Sequence, residues 1–285
     1  MISPNHHNFL KFILFADDTS LFFSYKDNYA NIETLINDEL KNVSDWLGAN
    51  KLSLNVGKSK LLQFSLANNN KKLNLTINNI PLQEFNVAKY LGVLIDNKLN
   101  WHEQIKAINL KLSKGIGLLA KIRHFVPKNT LRSLYFSFIN PHIDYNLLNW
   151  GMASDTSLNS VNINIKKAVR IISFKKNNDS TGPLFKDLNI LPLKYSYKLK
   201  QAKYMWKLMN DLLPKNFALH FQKHTTSINV RSKYSLPATR TDIAKRHISF
   251  AGLMLWHEIP TSIKKIKFYK SFSKALQTHL LDKLT

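Results

Sequence analysis

The first hundred residues alternate short apolar runs with polar turns, a pattern that predicts β-strands joined by tight connections. Apolar side chains fill residues 12–15 and 21–23, and the turn formers Ala16 to Ser20 lie between these runs. We therefore predict a β-hairpin. Because both arms are continuously apolar, we also expect both faces of the hairpin to be covered.

A helix is predicted next, because apolar residues recur at helical spacing and acidic residues fall between them. Gly48 provides a stop signal. The predicted buried stripe consists of Ile32, Leu35, Ile36, Leu40, Val43 and Leu47.

Further strands are predicted up to residue 95. They cover residues 60–65, then 73–77 and 80–82 on either side of a tight turn at Asn78-Asn79, and finally 87–95 with a break at Gly92.

From about Ile105 the apolar spacing becomes that of helices and remains so to the end of the chain. Stripes centred on residues 105–122 and 131–138 end at Pro127 and Pro141, and further helices are predicted at 165–172, 195–213, 243–259 and 272–280. The predicted fold class is therefore α+β, with strands and one helix in 1–100 and a mainly helical remainder. Loop-like gaps near 173–183 and 223–242 are the candidate internal boundaries.

Charge is distributed unevenly over these two parts. Residues 1–50 hold seven acids and three bases, whereas residues 51–285 hold 38 bases and 11 acids. Such a positive surplus opposes a compact fold through self-repulsion unless a polyanion neutralises it. Nucleic acid is the expected partner, since Lys and Arg displace counterions from its phosphates. The alternative is a generically Lys- and Asn-rich composition.

Several classes of protein are excluded by composition. The chain has no cysteine, which removes disulfides, zinc fingers and thiol nucleophiles. No segment approaches the roughly 18 apolar residues of a membrane helix. The apolar stretch at residues 9–16 contains Lys11 and runs into Asp17, so it is a poor signal peptide. We expect a protein inside the cell, in nucleus or cytoplasm, that does not contact a membrane.

The strongest chemical feature is the tetrapeptide Phe15-Ala16-Asp17-Asp18. Two adjacent carboxylates at the tip of an apolar hairpin repel each other, and a divalent cation relieves that repulsion. Mg²⁺ in particular prefers one or two carboxylates together with substrate phosphates. The alternative is an ordinary turn, in which Asp is common.

The surrounding residues resemble a known family. Residues 11–19 look like the catalytic hairpin of reverse transcriptases, in which an aromatic-x-Asp-Asp tetrapeptide lies on the palm. The other similar segments, in family order, are 50–60, 89–96, 140–145, Trp150-Gly151, 236–241 and 255–260. Together they resemble the non-LTR retrotransposon branch, and in particular the jockey-like elements of animals.

The resemblance implies RNA-templated DNA synthesis with Mg²⁺ as cofactor, and an RNA template and DNA primer as partners. The resemblance implies that Asp17 and Asp18 are catalytic metal ligands. Lys58 matches a basic position proposed to act near the leaving pyrophosphate; the alternative is a solvated loop lysine. Tyr90, Leu91 and Gly92 match the primer grip, although a strand bulge would equally explain Gly92.

The sequence also departs from the family. No acid precedes Asp17, and neither the fingers nor the earlier palm strand with a third metal-binding carboxylate is found. Asp27 and Asp96 follow the pair, but their local pattern does not match the lost motif. We therefore expect a truncated chain that is a poor polymerase alone, with an exposed apolar edge on its hairpin.

Two basic clusters are candidate phosphate contacts. They consist of Lys166, Lys167, Arg170, Lys175 and Lys176, and of Lys264, Lys265, Lys267 and Lys270. A third series interleaves Tyr195, Tyr197, Tyr204 and Trp206 with lysines. Exposed aromatics could stack on bases, whereas aromatics at helical spacing are more often part of a core.

The resemblance therefore implies three regions: a partial palm at 1–100, a helical thumb-like region at 101–175 and a basic helical region at 176–285. The leading hypothesis is a fragment of a retrotransposon RNA-directed DNA polymerase. The alternatives are a non-enzymatic basic remnant that binds nucleic acid, and an unrelated basic scaffold whose Asp-Asp turn is coincidental.

Overall fold

The computed structural model of the chain describes residues 10–25, 31–65, 72–222 and 233–284. These residues form two compact units. One comprises Met1–Ala88 with Asp96–Lys98, and the other Lys89–Ile95 with Leu99–Thr285. Within the described ranges, every helix is too short or too polar to cross a membrane.

The first unit begins with the predicted hairpin, formed by β1 (Leu10–Phe15) and β2 (Asp18–Phe23). The strands are antiparallel, and Phe15 pairs with Asp18 at the closed end. The turn is therefore only Ala16-Asp17, shorter than the five residues that the sequence suggested. Asp18, Thr19 and Ser20 extend β2 because cross-strand pairing continues to the tip.

Helix α1 spans Ile32–Ala49, as its spacing predicted. Its buried side chains are Ile32, Ile36, Leu40, Val43 and Leu47. Leu35 is exposed, so its assignment to the buried stripe is wrong. It lies at the margin of an apolar face that the other five positions already fill.

Short strands β3 (Thr76–Ile77) and β4 (Ile80–Pro81) complete this unit. Asn78 and Asn79 between them have φ of 51° and 62°, the double left-handed turn that asparagine tolerates. The strand predicted at 60–65 is reduced to one isolated bridge from Leu61 to Glu84. Residues 60–65 include apolar side chains, but in the described part of the unit no extended strand lies beside them to pair with.

The segment predicted as one broken strand is a hairpin, formed by β5 (Val87–Tyr90) and β6 (Val93–Asp96). Leu91 and Gly92 form its turn, with φ of 44° and 81°. Gly92 therefore lies in a tight turn and not in a bulge, and its left-handed backbone is the reason that glycine suits the position.

The second unit is helical. Its helices are α2 (His102–Ile122), α3 (Lys128–Phe138), α4 (Asn140–Asp144), α5 (Leu147–Trp150), α6 (Asp155–Ile172), α7 (Gly182–Asp187), α8 (Leu193–Met209), α9 (Lys215–Ala218), α10 (Asp242–Arg246), α11 (Ile248–Glu258), α12 (Thr261–Lys264) and α13 (Tyr269–Asp282). The mixed α+β class is thus as predicted.

Helices α2 and α6 form the centre of this unit and run in the same direction. Ser157 of α6 lies 3.4 Å from the His102 ring at their beginnings, and Arg123 lies over the Phe174 ring just beyond their ends. Fully buried side chains such as Leu112 and Ile165 fill the space between them. The core cluster around these helices runs from Val93 to Leu193 and so extends across the proposed boundary at residues 175–176.

The helix predicted over residues 243–259 is two helices. Its apolar spacing is interrupted by His247, which has extended backbone and accepts a hydrogen bond at Nδ1 from the Ser249 amide. This side chain therefore caps α11, and a local capping interaction overrides the continuous period. Farther along, α11 and α13 pack on α8, where Trp206 stacks on Phe272.

Gly115 and Gly117 of α2 provide a matched test of the core. A Cβ on Gly115 would lie 2.8 Å from Cγ1 of Ile139 and 3.3 Å from the Phe138 carbonyl oxygen, whereas a Cβ on Gly117 would meet nothing within 4 Å. We predict that Gly115→Ala destabilises the protein by about 1–2 kcal/mol through overpacking. Gly117→Ala should stabilise it by up to about 1 kcal/mol through helix propensity.

Urea unfolding followed by circular dichroism measures both changes. If the two variants shift the free energy of unfolding in the same direction by similar amounts, the close approach of α2 to Ile139 is refuted.

Candidate functional site

The hairpin that carries the aspartates is anchored to the core of the first unit by side chains on one face of β2 and of the residues just after it. Leu21, Phe23 and Tyr25 alternate along this segment and pack on the core formed by α1 and residues 73–77. Gln63 also holds the chain after β2, because its Nε2 donates a 2.8 Å hydrogen bond to the Tyr25 hydroxyl. The base of the hairpin is therefore held in place while its tip projects from the core.

Asp17 and Asp18 lie at that tip and are exposed. Within the ranges that the structure covers, neither carboxylate forms a hydrogen bond or an ion pair with the protein. Ala16, beside them, has a left-handed φ of 52°, a conformation that costs a non-glycine residue about 1–2 kcal/mol. The tip of the hairpin thus presents two unpaired anionic groups to solvent.

The donor chemistry of this pair fits a hard divalent cation only in part. Two carboxylates match the ligands that Mg²⁺ takes when water and phosphates complete its shell. However, no group of three His, Asp or Glu side chains able to hold a metal ion occurs among the described residues. Asp17 and Asp18 could therefore bind an ion weakly, with most of its ligands supplied from elsewhere.

The apolar residues of the hairpin are not covered on both faces, contrary to the prediction from their continuous run. Phe12, Ile13, Leu14, Phe15 and Phe22 are all exposed. In the described part of the chain, β1 and β2 form a sheet of two strands only. The expectation of an exposed apolar edge on the hairpin agrees with these positions, whereas that of a doubly covered hairpin is wrong.

Lys58 lies in the same unit as the aspartates, at the end of a single 3₁₀ turn formed by Val56–Lys58. The Asn55 side chain accepts a 3.1 Å hydrogen bond from the Lys58 amide and so fixes its backbone. Val56 packs on the unit's core. The Lys58 side chain is exposed, so its ammonium group is available to an anion.

The two later aspartates differ from the pair. Asp27 lies outside the described residues. Asp96 ends β6, and its Oδ1 accepts a 3.1 Å hydrogen bond from the Lys98 amide. Asp96 therefore stabilises a turn.

Tyr90, Leu91 and Gly92 lie at the tip of the β5–β6 hairpin, with Tyr90 half-buried. The Tyr145 hydroxyl donates a 2.6 Å hydrogen bond to the Leu91 carbonyl. A Cβ on Gly92 would lie 3.7 Å from that hydroxyl. Farther along, the Leu94 amide donates to the buried Gln104 side chain of α2 at 2.9 Å. Two side chains from the helical unit thus set the position of this turn.

Tyr145 and Gln104 are the positioning residues that sequence reasoning missed. Tyr145 belongs to the segment 140–145, which the sequence marked as family-like without assigning a role. The structure gives that segment one. Trp150 donates to the Tyr145 carbonyl at 2.9 Å, and Lys200 pairs with Asp144 at 2.6 Å. Gln104 could have been found from the sequence, because a polar side chain on the buried face of a helix needs a hydrogen-bond partner.

The first basic cluster lies along and beyond the end of α6. Lys167, Lys175 and Lys176 are exposed, and Lys166 is half-buried. Arg170 donates from Nε to the Asp179 carbonyl at 2.9 Å, which ties it to the following loop. The exposed lysines are thus free to meet phosphate, whereas Arg170 has a structural contact.

The second basic cluster follows α12. Lys265, Lys267 and Lys270 are exposed. Lys264 donates to the His257 carbonyl at 3.2 Å and lies over the Trp256 ring. Desolvation lowers the pKa of Lys264 below its usual value. Lys264 therefore helps to pack α11 against α12 in addition to carrying charge.

The aromatic series on α8 belongs to the core. Trp206 is buried and donates from Nε1 to the Ile266 carbonyl at 3.1 Å. Tyr197 is half-buried, and desolvation raises the pKa of its hydroxyl to about 12. These rings stabilise the packing of the helical unit and are not a row of stacking surfaces.

The first unit thus presents a carboxylate-bearing hairpin, and the helical second unit, called the basic helical body, carries the exposed lysine clusters. The chain is also similar in sequence to a known protein. Over 163 residues the chain is 26% identical to a Drosophila melanogaster protein described as a probable RNA-directed DNA polymerase from transposon X-element. The match covers 56% of this chain and 18% of the fly protein, so the chain spans about a fifth of that relative. No family model and no solved structure matches the chain.

This similarity confirms the resemblance to non-LTR retrotransposon reverse transcriptases that the motifs indicated. The chain is thus similar in sequence to a polymerase of the retrotransposon kind.

The contact of Tyr145 with the Leu91 turn can be tested by removing one oxygen atom. We predict that Tyr145→Phe destabilises the protein by about 1 kcal/mol, because the Leu91 carbonyl loses its hydrogen bond. Amide hydrogen exchange at residues 89–95 should accelerate. Tyr90→Phe is the control, since the described residues offer the Tyr90 hydroxyl no hydrogen-bond partner. Equal exchange rates in both variants would mean that Tyr145 does not hold the turn.

Proposed function

We propose that this chain forms part of an RNA-directed DNA polymerase that transfers nucleotides to a primer 3′-end on an RNA template. The observation that carries the proposal is the arrangement of Asp17 and Asp18. One unpaired carboxylate lies in the two-residue turn and the other on the first residue of β2, a strand whose far end packs on a hydrophobic core. Such positioning is what metal-dependent phosphoryl and nucleotidyl transfer requires.

The role of the aspartates is to hold a divalent cation close to phosphate. A bound Mg²⁺ ion would supply Lewis-acid stabilisation of the negative charge on the transferred phosphate. Asp17 and Asp18 neutralise part of the ion's charge and orient it relative to the hairpin. The remaining ligands would have to come from solvent, substrate phosphates and a further carboxylate that the described residues do not supply, which is why we propose that the chain alone is a poor polymerase.

Lys58 is proposed to act on the same substrate from the loop after α1. Its ammonium group could stabilise charge on a leaving pyrophosphate or donate a proton to it. The fixed backbone at Asn55 and the exposed side chain support this role.

The β5–β6 turn is proposed to contact the primer through Tyr90, Leu91 and Gly92. The hydrogen bonds from Tyr145 and to Gln104 support this role, because they hold the turn in one position. A rigid turn without a side chain at Gly92 allows close approach of a nucleic-acid backbone.

The basic helical body is proposed to bind the RNA template and the DNA primer by their phosphates. In this account residues 1–100 are a partial palm, 101–175 a thumb-like region and 176–285 a basic helical region. The exposed lysines at 167, 175, 176, 265 and 267 support phosphate binding.

A second candidate is a nucleic-acid-binding protein without polymerase activity. It is favoured by one observation: in the described ranges no third His, Asp or Glu side chain joins the Asp17-Asp18 pair. The two candidates share the basic body and differ only in whether the hairpin performs chemistry.

Primer extension separates the candidates. With an RNA template, a labelled DNA primer, deoxynucleotides and Mg²⁺, we predict slow extension by the wild-type chain and none by Asp17→Asn, because the substitution removes one metal-binding charge. Asp155→Asn is the matched control, since Asp155 is an exposed aspartate at the start of α6; it should leave extension unchanged.

Binding of the same primer–template, measured by fluorescence anisotropy, completes the test. Retained binding with no extension at any wild-type protein concentration would contradict the polymerase and favour the second candidate. Equal extension by wild type and Asp17→Asn would show that the hairpin has no catalytic role.

A further inference from the structure

We propose that the end of the helical unit where α2 and α6 finish is a platform for single-stranded nucleic acid. Phe125 and Phe174 provide stacking surfaces for bases, and Arg123, Lys175 and Lys176 bind phosphates. These five residues are called the α2/α6 platform. The proposal deepens the proposed function, in which nucleic acid is the substrate, but it uses no residue of the β1–β2 hairpin.

The two phenylalanines of the platform are exposed although they belong to a unit with an extensive core. Phe125 is 84% exposed and Phe174 is 45% exposed. The Arg123 guanidinium lies 5.3 Å from the centre of the Phe174 ring, and His124 meets that ring edge-on. An arginine beside an exposed aromatic ring is a combination that proteins use to stack unpaired bases.

The backbone at Phe174 is a second and independent observation. The Lys175 amide donates to the Arg170 carbonyl and the Phe174 amide to the Ile171 carbonyl, which is the Schellman arrangement that ends a helix. Phe174 has a φ of 56° at the position that glycine usually fills. Phenylalanine rarely adopts this conformation, and backbone strain of this kind is found at functional positions.

Unused polar groups lie beside this ring. Arg123 Nε and Ser173 Oγ are buried, and the described residues give neither a hydrogen-bond partner. Such groups carry a desolvation cost that a bound polar ligand or water would relieve.

The charges of the platform are not neutralised by the protein. Within the described ranges, Arg123, Lys175 and Lys176 form no ion pair with a carboxylate. Asp179 is nearby, but its Oδ2 accepts from the Lys176 amide at 2.9 Å and its carbonyl accepts from Arg170. Unpaired cations at one end of a strongly basic unit attract a polyanion through counterion release.

A single strand is favoured over a duplex by the exposed rings. Paired bases are already stacked on one another, so Phe125 and Phe174 can add stacking energy only with unpaired bases. Lysines alone would bind both forms through phosphate.

The test measures binding of the full chain to fluorescein-labelled oligo(U) by anisotropy across a range of salt concentrations. Phe125→Ala and Phe174→Gly should each weaken binding about fivefold or more without changing the salt slope. Phe174→Gly should also raise the midpoint of thermal unfolding, because glycine relieves the left-handed backbone. Lys175→Ala with Lys176→Ala should instead reduce the salt slope by about two.

Phe217→Ala is the control, because Phe217 is an exposed phenylalanine of α9, next to Ala218, which packs on a different hydrophobic cluster. It should bind like wild type. The platform is overturned if both phenylalanine variants also bind like wild type, or if blunt duplex or inorganic polyphosphate competes as well as oligo(U) per phosphate. Asp17→Asn must retain full oligo(U) binding, so this result is independent of whether the hairpin catalyses extension.

Discussion

The candidate site depends on the packing of Leu21, Phe23 and Tyr25 against the core of the first unit. This single apolar face fixes a hairpin most of whose other residues are exposed and whose tip carries two unpaired aspartates. Burial of one face of the hairpin fixes its position, and exposure of its tip keeps the aspartates accessible. The carboxylates are held by a rigid base, and they remain accessible to a cation and to phosphate.

A comparable division of roles is found within the helical unit. The parallel pair α2 and α6 supplies the buried core, and the turn at Leu91-Gly92 is held against this unit by Tyr145 and Gln104. At the far end of the same pair, charge and exposed aromatic rings replace apolar burial. The two helices therefore form a scaffold. Residues near their beginnings position the Leu91-Gly92 turn, and residues at their ends form the platform proposed to bind single-stranded nucleic acid.

The sequence predicted those elements whose signal is a repeated spacing, such as α1 and the stripe at 105–122. It failed where a local or tertiary interaction decides the outcome. The helix expected over 243–259 is interrupted because His247 caps α11, and the strand expected at 60–65 finds little pairing. Tyr145 could not be found from pattern alone, because its partner is a backbone carbonyl 54 residues earlier in the chain. Asp17 and Asp18 were accessible to sequence reasoning because a conspicuous tetrapeptide contains both.

Asp17 and Asp18 together are proposed to bind a divalent cation. Nuclear magnetic resonance with substoichiometric Mn²⁺ tests this proposal most directly, since the paramagnetic ion broadens signals of nearby amides. We expect selective broadening of the amides of residues 16–19 in the wild-type chain and its loss in Asp17→Asn. Broadening that is absent at these residues, or that persists unchanged in Asp17→Asn, would contradict it.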